Sequence, residues 1–348
     1  MAERILIISV HPVLEYDERK LFSEIGFECF SLGFFSNFDG SSGASLRRAF
    51  EESDFTANCR DRFMRTGCKI VPTEKFAYSL SREFAAYFDI IVVHHNYEFI
   101  SHNWEAISDR LVVWRTIGQE LGFPDQYLSP FRDKGLKIVR WSPQERHLEG
   151  YIGADAIIRA AKDNREFLNW KGGGPIICFT NNFLERSSAL NYDFFRAVAD
   201  AEPIQLFGVG NEGIPEWSGL ATYPEQLQLF SRATATFLTG TWPAPYTLGF
   251  VESWMAGAPV VHIGKAVWAK TRAGILFEVD QLIENGINGF IANSETEAVS
   301  YLRELNATPS LAKDISTQAR FAAERYFGWS RSTLDWLAFF SDCGLREK

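Results

Sequence analysis

The chain is organised by short, continuous apolar runs rich in β-branched residues, each followed by a helical pattern. RILIISV (4–10), DIIVVHHN (89–96), RLVVWRT (110–116), LKIVRW (136–141) and ADAIIRAA (154–161) are such runs. A strand apolar on both faces must be covered on both faces, and this alternation is the signature of a parallel sheet with helices packed on each side. The first run ends at His11-Pro12, a helical stretch from Leu14 to Ile25 is stopped by Gly26, and FECFSL then reads as a second strand. From Phe38 to Ser79 the pattern lapses. This polar segment contains Asp39-Gly-Ser-Ser-Gly and is expected to form long loops and short helices near a binding cleft.

The alternation restarts after NWKGGGP (169–175). Three consecutive glycines and a proline do not fit a helix interior or a central strand. Strands are expected at IICFT (176–180), IQLFGVG (204–210), TATFLTG (234–240), PVVHIG (259–264) and GFIAN (289–293), with helices over Asn191–Ala201 and Glu225–Ala233. The chain therefore reads as two α/β halves joined by a glycine hinge, with a ligand cleft between them. A length of 348 residues suits two domains.

Several functional classes are set aside. A formal net charge of −9 argues against a dedicated duplex-DNA binder, whose affinity rests on phosphate neutralisation. No apolar run approaches membrane-spanning length, and MAERILIISV reads as a buried strand rather than a leader. The five cysteines are widely spaced without a Cys-x-x-Cys pair, so neither a zinc site nor a disulfide framework is expected, and a reducing cytoplasm is the simplest location. There is no P-loop pattern and no Asp-x-Asp pair for a divalent metal. The glycines of FGVGNEG do not match a dinucleotide fingerprint.

YTLGFVESWMAGAPVV (246–261) carries the main chemical signal. A helix is expected to start after Thr247 and to stop at Gly257, since Pro259 cannot continue it. Leu248, Val251 and Met255 share its apolar face, and Glu252 lies beside that face. The free amides of residues 247–250 form an anion site suited to a diphosphate. A carboxylate one turn further in can accept hydrogen bonds from two vicinal ribose hydroxyls. The other reading of Glu252 is a partly exposed glutamate favoured by the helix dipole.

The stretch PYTLGFVESWMAGAPVV, followed by LIENGINGFIA (282–292), resembles the donor-binding half of the retaining GT-B glycosyltransferases of the family 4 type (glycosyl transferases group 1). Glu252, Met255, Ala256, Gly257, Pro259, Val260 and Val261 fall on the family pattern. LFGVGNE (206–212), YPEQLQLFSRATATFL (223–238), FGWSRSTLDWLAFF (327–340) and ADAIIRAAKDNREFL (154–168) fit in order. The chain departs from the pattern at three places. Ala244 stands where the first motif glutamate belongs, Ile117 near the family histidine, and Asn181 at the arginine of a basic pair whose second member falls near Arg186.

The resemblance implies an α/β fold of GT-B architecture, with two Rossmann-like domains facing across a cleft and a C-terminal helix crossing back to the first. The expected boundaries are an acceptor-binding domain at 1–168, the hinge at 169–175, a nucleotide-sugar domain at 176–326 and the returning helix at 327–348. It implies sugar transfer from a nucleoside-diphosphate sugar to an acceptor hydroxyl, with retention, without a metal and without a permanently bound cofactor. The acceptor stays open among polysaccharide, lipid-linked glycan, protein, small molecule and modified nucleic acid. Glu252 would meet the ribose, Thr247, Leu248 and Gly249 the diphosphate, and Arg186 would supply counter-charge. Asn182, Gly210, Tyr223 (base stacking) and Trp242 (sugar stacking) complete the binding set.

His94 and His95 end a strand, where side chains open into the crevice, and are candidates for contact with the acceptor or sugar; His11 is a similar case. Arg115, Gln119 and Glu120 could line the acceptor side, with Arg115 needing an anionic partner. Two other readings stand beside the transferase: a non-catalytic sugar-nucleotide-binding or assembly subunit, and a GT-B-fold epimerase or phosphorylase.

Overall fold

The computed structural model describes residues 2–35, 53–75, 77–118, 123–270, 272 and 276–345. The chain forms two compact units: one holds the chain up to Ala161 and again from Ser332, the other Lys162–Arg331.

In the first unit, β1 (Arg4–Ser9), α1 (Pro12–Glu24) and β2 (Glu28–Leu32) follow the expected order. His11 caps α1 by accepting the Leu14 N–H at 3.5 Å, and Pro12 opens the helix. Then come α2 (Asp54–Arg65), β3 (Lys69–Ile70), β4 (Tyr78–Ser79), α3 (Arg82–Ala85), β5 (Ile90–His94), α4 (Tyr97–Ile107), β6 (Leu111–Arg115), α5 (Phe123–Arg132), β7 (Lys137–Arg140) and β8 (Ala156–Ile157). The sheet is parallel in the order β2-β1-β5-β6-β7-β8. Its central strands β1, β5, β6 and β7 are buried on both faces, as their unbroken apolar character requires. The run 154–161 forms only the short β8. Of the polar segment, α2 is fixed by a Ser53–Thr56 capping box and β3–β4 form a hairpin; the Asp39-Gly-Ser-Ser-Gly stretch lies outside the described residues.

The second unit contains β9 (Ile176–Phe179), α6 (Ser187–Leu190), α7 (Tyr192–Ala199), β10 (Ile204–Phe207), α8 (Tyr223–Arg232), β11 (Ala235–Leu238), α9 (Leu248–Met255), β12 (Val260–Ile263), α10 (Lys265–Trp268), α11 (Val279–Leu282), β13 (Phe290–Ala292), α12 (Glu295–Ala307) and α13 (Pro309–Phe327). Its sheet is parallel, in the order β10-β9-β11-β12-β13. α9 ends at Gly257, whose φ of 78° closes the helix with an Ala258 N–H to Ser253 carbonyl bond of 3.0 Å. A Cβ there would lie 3.0 Å from Ser316 Oγ, so glycine also permits close packing of α9 on α13.

The last helix, α14 (Trp329–Asp342), follows Gly328. From Ser332 it belongs to the first unit, where Trp336 is fully buried with its ring 5.0 Å from Phe22, and Phe340 lies 5.3 Å from Phe27.

The glycine hinge expected at 169–175 differs. Chain passage between units falls at Ala161–Lys162, and the glycine segment is bonded into the second unit. Lys171 and Gly174 donate backbone bonds of 2.7 Å to Ser231 and Arg232, and the Trp170 indole donates to the Ala233 carbonyl at 2.7 Å. Gly174 lets the backbone run close against the end of α8, where a Cβ would lie 2.6 Å from the Arg232 carbonyl.

Candidate functional site

In the second unit the chain leaves β9 for β10 on one side and returns to β11 on the other. The carboxyl ends of β9 and β11 therefore flank a reversal of strand order, where open α/β sheets bind ligands. The loop after β9 and the loop after β10 are laced together there. Buried Asn211 donates to the Thr180 carbonyl at 2.6 Å and accepts the Phe183 N–H at 2.9 Å. Asn181 accepts the Val209 N–H at 3.1 Å, and the Asn182 N–H donates to the Val209 carbonyl at 2.8 Å. Gly210, at φ 72°, passes so close to Asn182 that a Cβ would strike the amide oxygen. Asn182 and Gly210 thus meet, as parts of one loop pair; Asn211, which binds the pair, carried no recognisable sequence signal.

α9 points its N-terminus at this edge: a Cβ on Gly249 would sit 3.9 Å from the Phe179 carbonyl at the end of β9. Thr247 caps the helix, its hydroxyl accepting the Phe250 N–H at 3.1 Å. The amides of Leu248 and Gly249 take no hydrogen-bond partner among the described residues, and both residues are partly exposed. Arg186, just before α6, is exposed and its guanidinium takes no partner among the described residues.

Two buried polar atoms stand at the ends of neighbouring strands. Burial lowers the His262 pKa to about 4, so the ring is neutral at physiological pH, and its Nδ1–H donates to the Ile263 carbonyl at 2.9 Å. Its Nε2 is left as an acceptor without a partner among the described residues, as is the Thr239 hydroxyl. Neither residue figured among the sequence candidates.

Glu252 is buried, at 4% exposure, so the reading as a partly exposed surface glutamate does not hold. Its Oε1 accepts from Lys162 Nζ at 2.7 Å and its Oε2 from the Gln226 amide at 3.0 Å. Lys162, itself 1% exposed, enters beside the end of α13, its N–H donating to the Phe327 carbonyl at 2.8 Å. Nothing local marks Lys162 as a partner of Glu252, ninety positions away. Tyr223 opens α8 and its hydroxyl donates to Glu166 at 3.0 Å. Trp242 is held by its N–H on the Ala189 carbonyl at 2.8 Å, and one face of its ring is taken by Arg272, 5.0 Å from the centroid. Arg272 in turn donates to the Ser188 carbonyl. Ala244 is buried.

The histidine candidates lie in the first unit. His94 is fully buried and both ring nitrogens are engaged, Nε2 with Glu18 at 2.8 Å and Nδ1 with the Ser9 hydroxyl at 3.0 Å. It is an interior residue and leaves the catalytic set, because β5 turns it onto α1 rather than outward. Arg115 is likewise fully buried. It gives Nε to Glu18 at 2.8 Å and its other nitrogens to the Arg140 and Arg159 carbonyls, so the anionic partner it needed is Glu18. Burial alone would raise the Glu18 carboxyl; the charges of Arg115 and His94 outweigh it and bring the pKa down to about 2. His95 is partly exposed, at φ 55°. His11 is the α1 cap. Gln119 and Glu120 lie outside the described residues.

Among the described residues no group of three or more His, Cys, Asp or Glu could hold a metal ion, and no helix is long and apolar enough to cross a membrane.

No protein-family model matches the chain, and no curated protein matches its sequence. Solved structures do match its fold. The Anabaena protein HepE in complex with UDP and glucose aligns with a TM-score of 0.66 at 12% identity, over 98% of this chain and 100% of that one. Sucrose-phosphate synthase from Thermosynechococcus elongatus aligns at 0.66 and 13% identity, over 98% and 99%. A glycosyltransferase from Rickettsia africae aligns at 0.65 and 12%, over 98% of each chain. The shared fold is the pair of Rossmann-like domains of GT-B glycosyltransferases.

Proposed function

We propose that this chain is a nucleotide-sugar-dependent glycosyltransferase whose second unit binds the donor. The observation that carries this reading is the open N-terminus of α9 at the strand-order reversal, in a fold shared with such enzymes over nearly the whole chain. The Leu248 and Gly249 amides and the Arg186 guanidinium would hold the diphosphate. Glu252, held in place by Lys162 and Gln226, would meet the ribose hydroxyls. Thr239 and the neutral His262 are the polar groups that a ligand hydroxyl would complete.

The chemical demand is departure of a nucleoside diphosphate from an oxocarbenium-like carbon. Amide dipoles and a guanidinium aimed at that leaving group lower the barrier by meeting charge as it develops. We assign the neutralisation to these groups because the sequence carries no Asp-x-Asp pair. Retention of configuration is part of the reading on the family resemblance alone.

UDP occupies the HepE structure and is the first ligand to try. Calorimetric titration with UDP and a panel of UDP-sugars, followed by assay of UDP release, tests the proposal. Binding together with slow donor hydrolysis is expected; no response to any nucleotide sugar would overturn it. A non-catalytic nucleotide-sugar-binding subunit is the second reading, favoured by Ala244, which puts a buried methyl where the resembled motif has a carboxylate. Binding without UDP release under any condition would select it.

A further inference from the structure

In the first unit a shelf lies beyond the carboxyl end of β5, lined by Lys75, Tyr97, Glu98, Ser101, His102 and Tyr127, with a volume of about 580 Å³. Its floor is an aromatic pair: the Tyr97 and Tyr127 rings are 5.3 Å apart at 34°, and Tyr127 is 50% exposed. The walls are fixed from below. Asn96, 3% exposed, caps α4 by accepting the Phe99 N–H at 2.9 Å and donates to the Lys75 carbonyl at 3.2 Å, tying the Lys75 loop to the start of the helix. α4 and α5, which carry the two tyrosines, pack through Trp104 and Phe131 at 4.9 Å. The site is built before any ligand arrives.

A half-exposed aromatic floor with a polar rim is matched by a ligand that is apolar on one face and hydrogen-bonding at its edge. A pyranose ring has this character: C–H groups on a face, hydroxyls around the perimeter. Charge narrows the class. The single cation in the lining, Lys75, is offset by Glu98 at 3.7 Å, so the shelf offers no surplus positive charge to a phosphate or an acidic sugar. The volume falls in the range of about 300–1,000 Å³ usual for small-molecule sites.

We propose that this shelf is a subsite for a neutral sugar ring, stacked on Tyr97 and Tyr127 and hydrogen-bonded by Ser101, His102 and Glu98, and that it holds the acceptor. The acceptor role rests on the glycosyltransferase reading; the sugar binding does not.

The test is to apply the labelled full-length protein to an array of immobilised neutral and acidic oligosaccharides, with UDP titration in parallel. Wild type is expected to retain neutral glycans. Tyr127→Ala should weaken that retention by about tenfold, the size of one lost aromatic face, and Tyr127→Phe should keep most of it. Ser101→Trp, which fills the shelf from an exposed position, should abolish it, with UDP affinity unchanged in all three. Retention of no neutral glycan, retention of acidic glycans only, or equal retention by wild type and Tyr127→Ala would overturn the inference. Glycan retention without any UDP response would leave the subsite standing and remove the transferase reading.

Discussion

Lys162 Nζ lies 2.7 Å from Glu252 Oε1, and neither side chain is more than 6% exposed. Two opposite charges are thereby buried together, one on α9 and one beside the end of α13. Such a pair need add little net stability, but removing one member strands the other. Lys162→Met should therefore lower unfolding stability by about 3–5 kcal/mol. The double change Lys162→Met/Glu252→Leu should recover much of that loss while still failing to bind UDP. Urea unfolding and calorimetry on the same preparations check both halves. A double variant that binds UDP like wild type would show that Glu252 has no part in nucleotide recognition.

Arg186 is exposed and makes no ion pair among the described residues, so its removal should leave stability unchanged. Arg186→Ala should weaken UDP binding by about tenfold or more, the value of one charge-assisted bond, and leave uridine binding alone. Equal losses for both ligands would place Arg186 away from the diphosphate.

Glu18 makes the first unit acid-sensitive. Its carboxyl pKa is about 2 in the folded protein, against about 4.3 in an unfolded chain. The folded value is depressed, so its stabilisation is complete above about pH 4.3 and is lost as pH falls through about 2. The difference amounts to about 3 kcal/mol. Glu18→Gln should be less stable than wild type at pH 7, since Arg115 loses its carboxylate, and should lose less further stability between pH 5 and pH 3. Urea midpoints across that range decide; parallel curves would show that Glu18 does not carry the dependence.

Ala244 is 2% exposed, between buried Pro243 and Pro245. Ala244→Glu places a carboxylate in a dry, filled space and should destabilise by about 2–5 kcal/mol. Burial raises the pKa of the new group, so the deficit should grow as pH rises through that value, and melting at pH 5 and pH 8 should reveal it. A variant as stable as wild type at both values would mean that the loop opens easily at this position.

The strands were readable because a parallel sheet buries both faces of each strand, and that requirement writes itself into contiguous sequence. α9 was readable for a similar reason: its cap at Thr247, its apolar face and its stop at Gly257 are all local. What Glu252 touches was not readable, because Lys162 and Gln226 come from other elements and nothing local marks a lysine as bound for the interior. His94 misled for the same reason. A histidine at a strand end looks outward-facing until α1 brings Glu18 against it. Three consecutive glycines suggest freedom between domains, whereas Gly174 serves close contact with the end of α8 and Gly172 close contact with the Trp170 ring.

Trp336 has a consequence for the order in which the protein is made. Phe22 and Arg115 lie before the second unit in sequence, yet they pack on an indole that follows it, 5.0 Å and 5.6 Å from its ring. The early sheet therefore emerges from the ribosome without one wall of its core and waits through synthesis of the entire second unit for it. A premature stop a few codons before Trp336 would spare every donor-site residue discussed above and still injure the first unit.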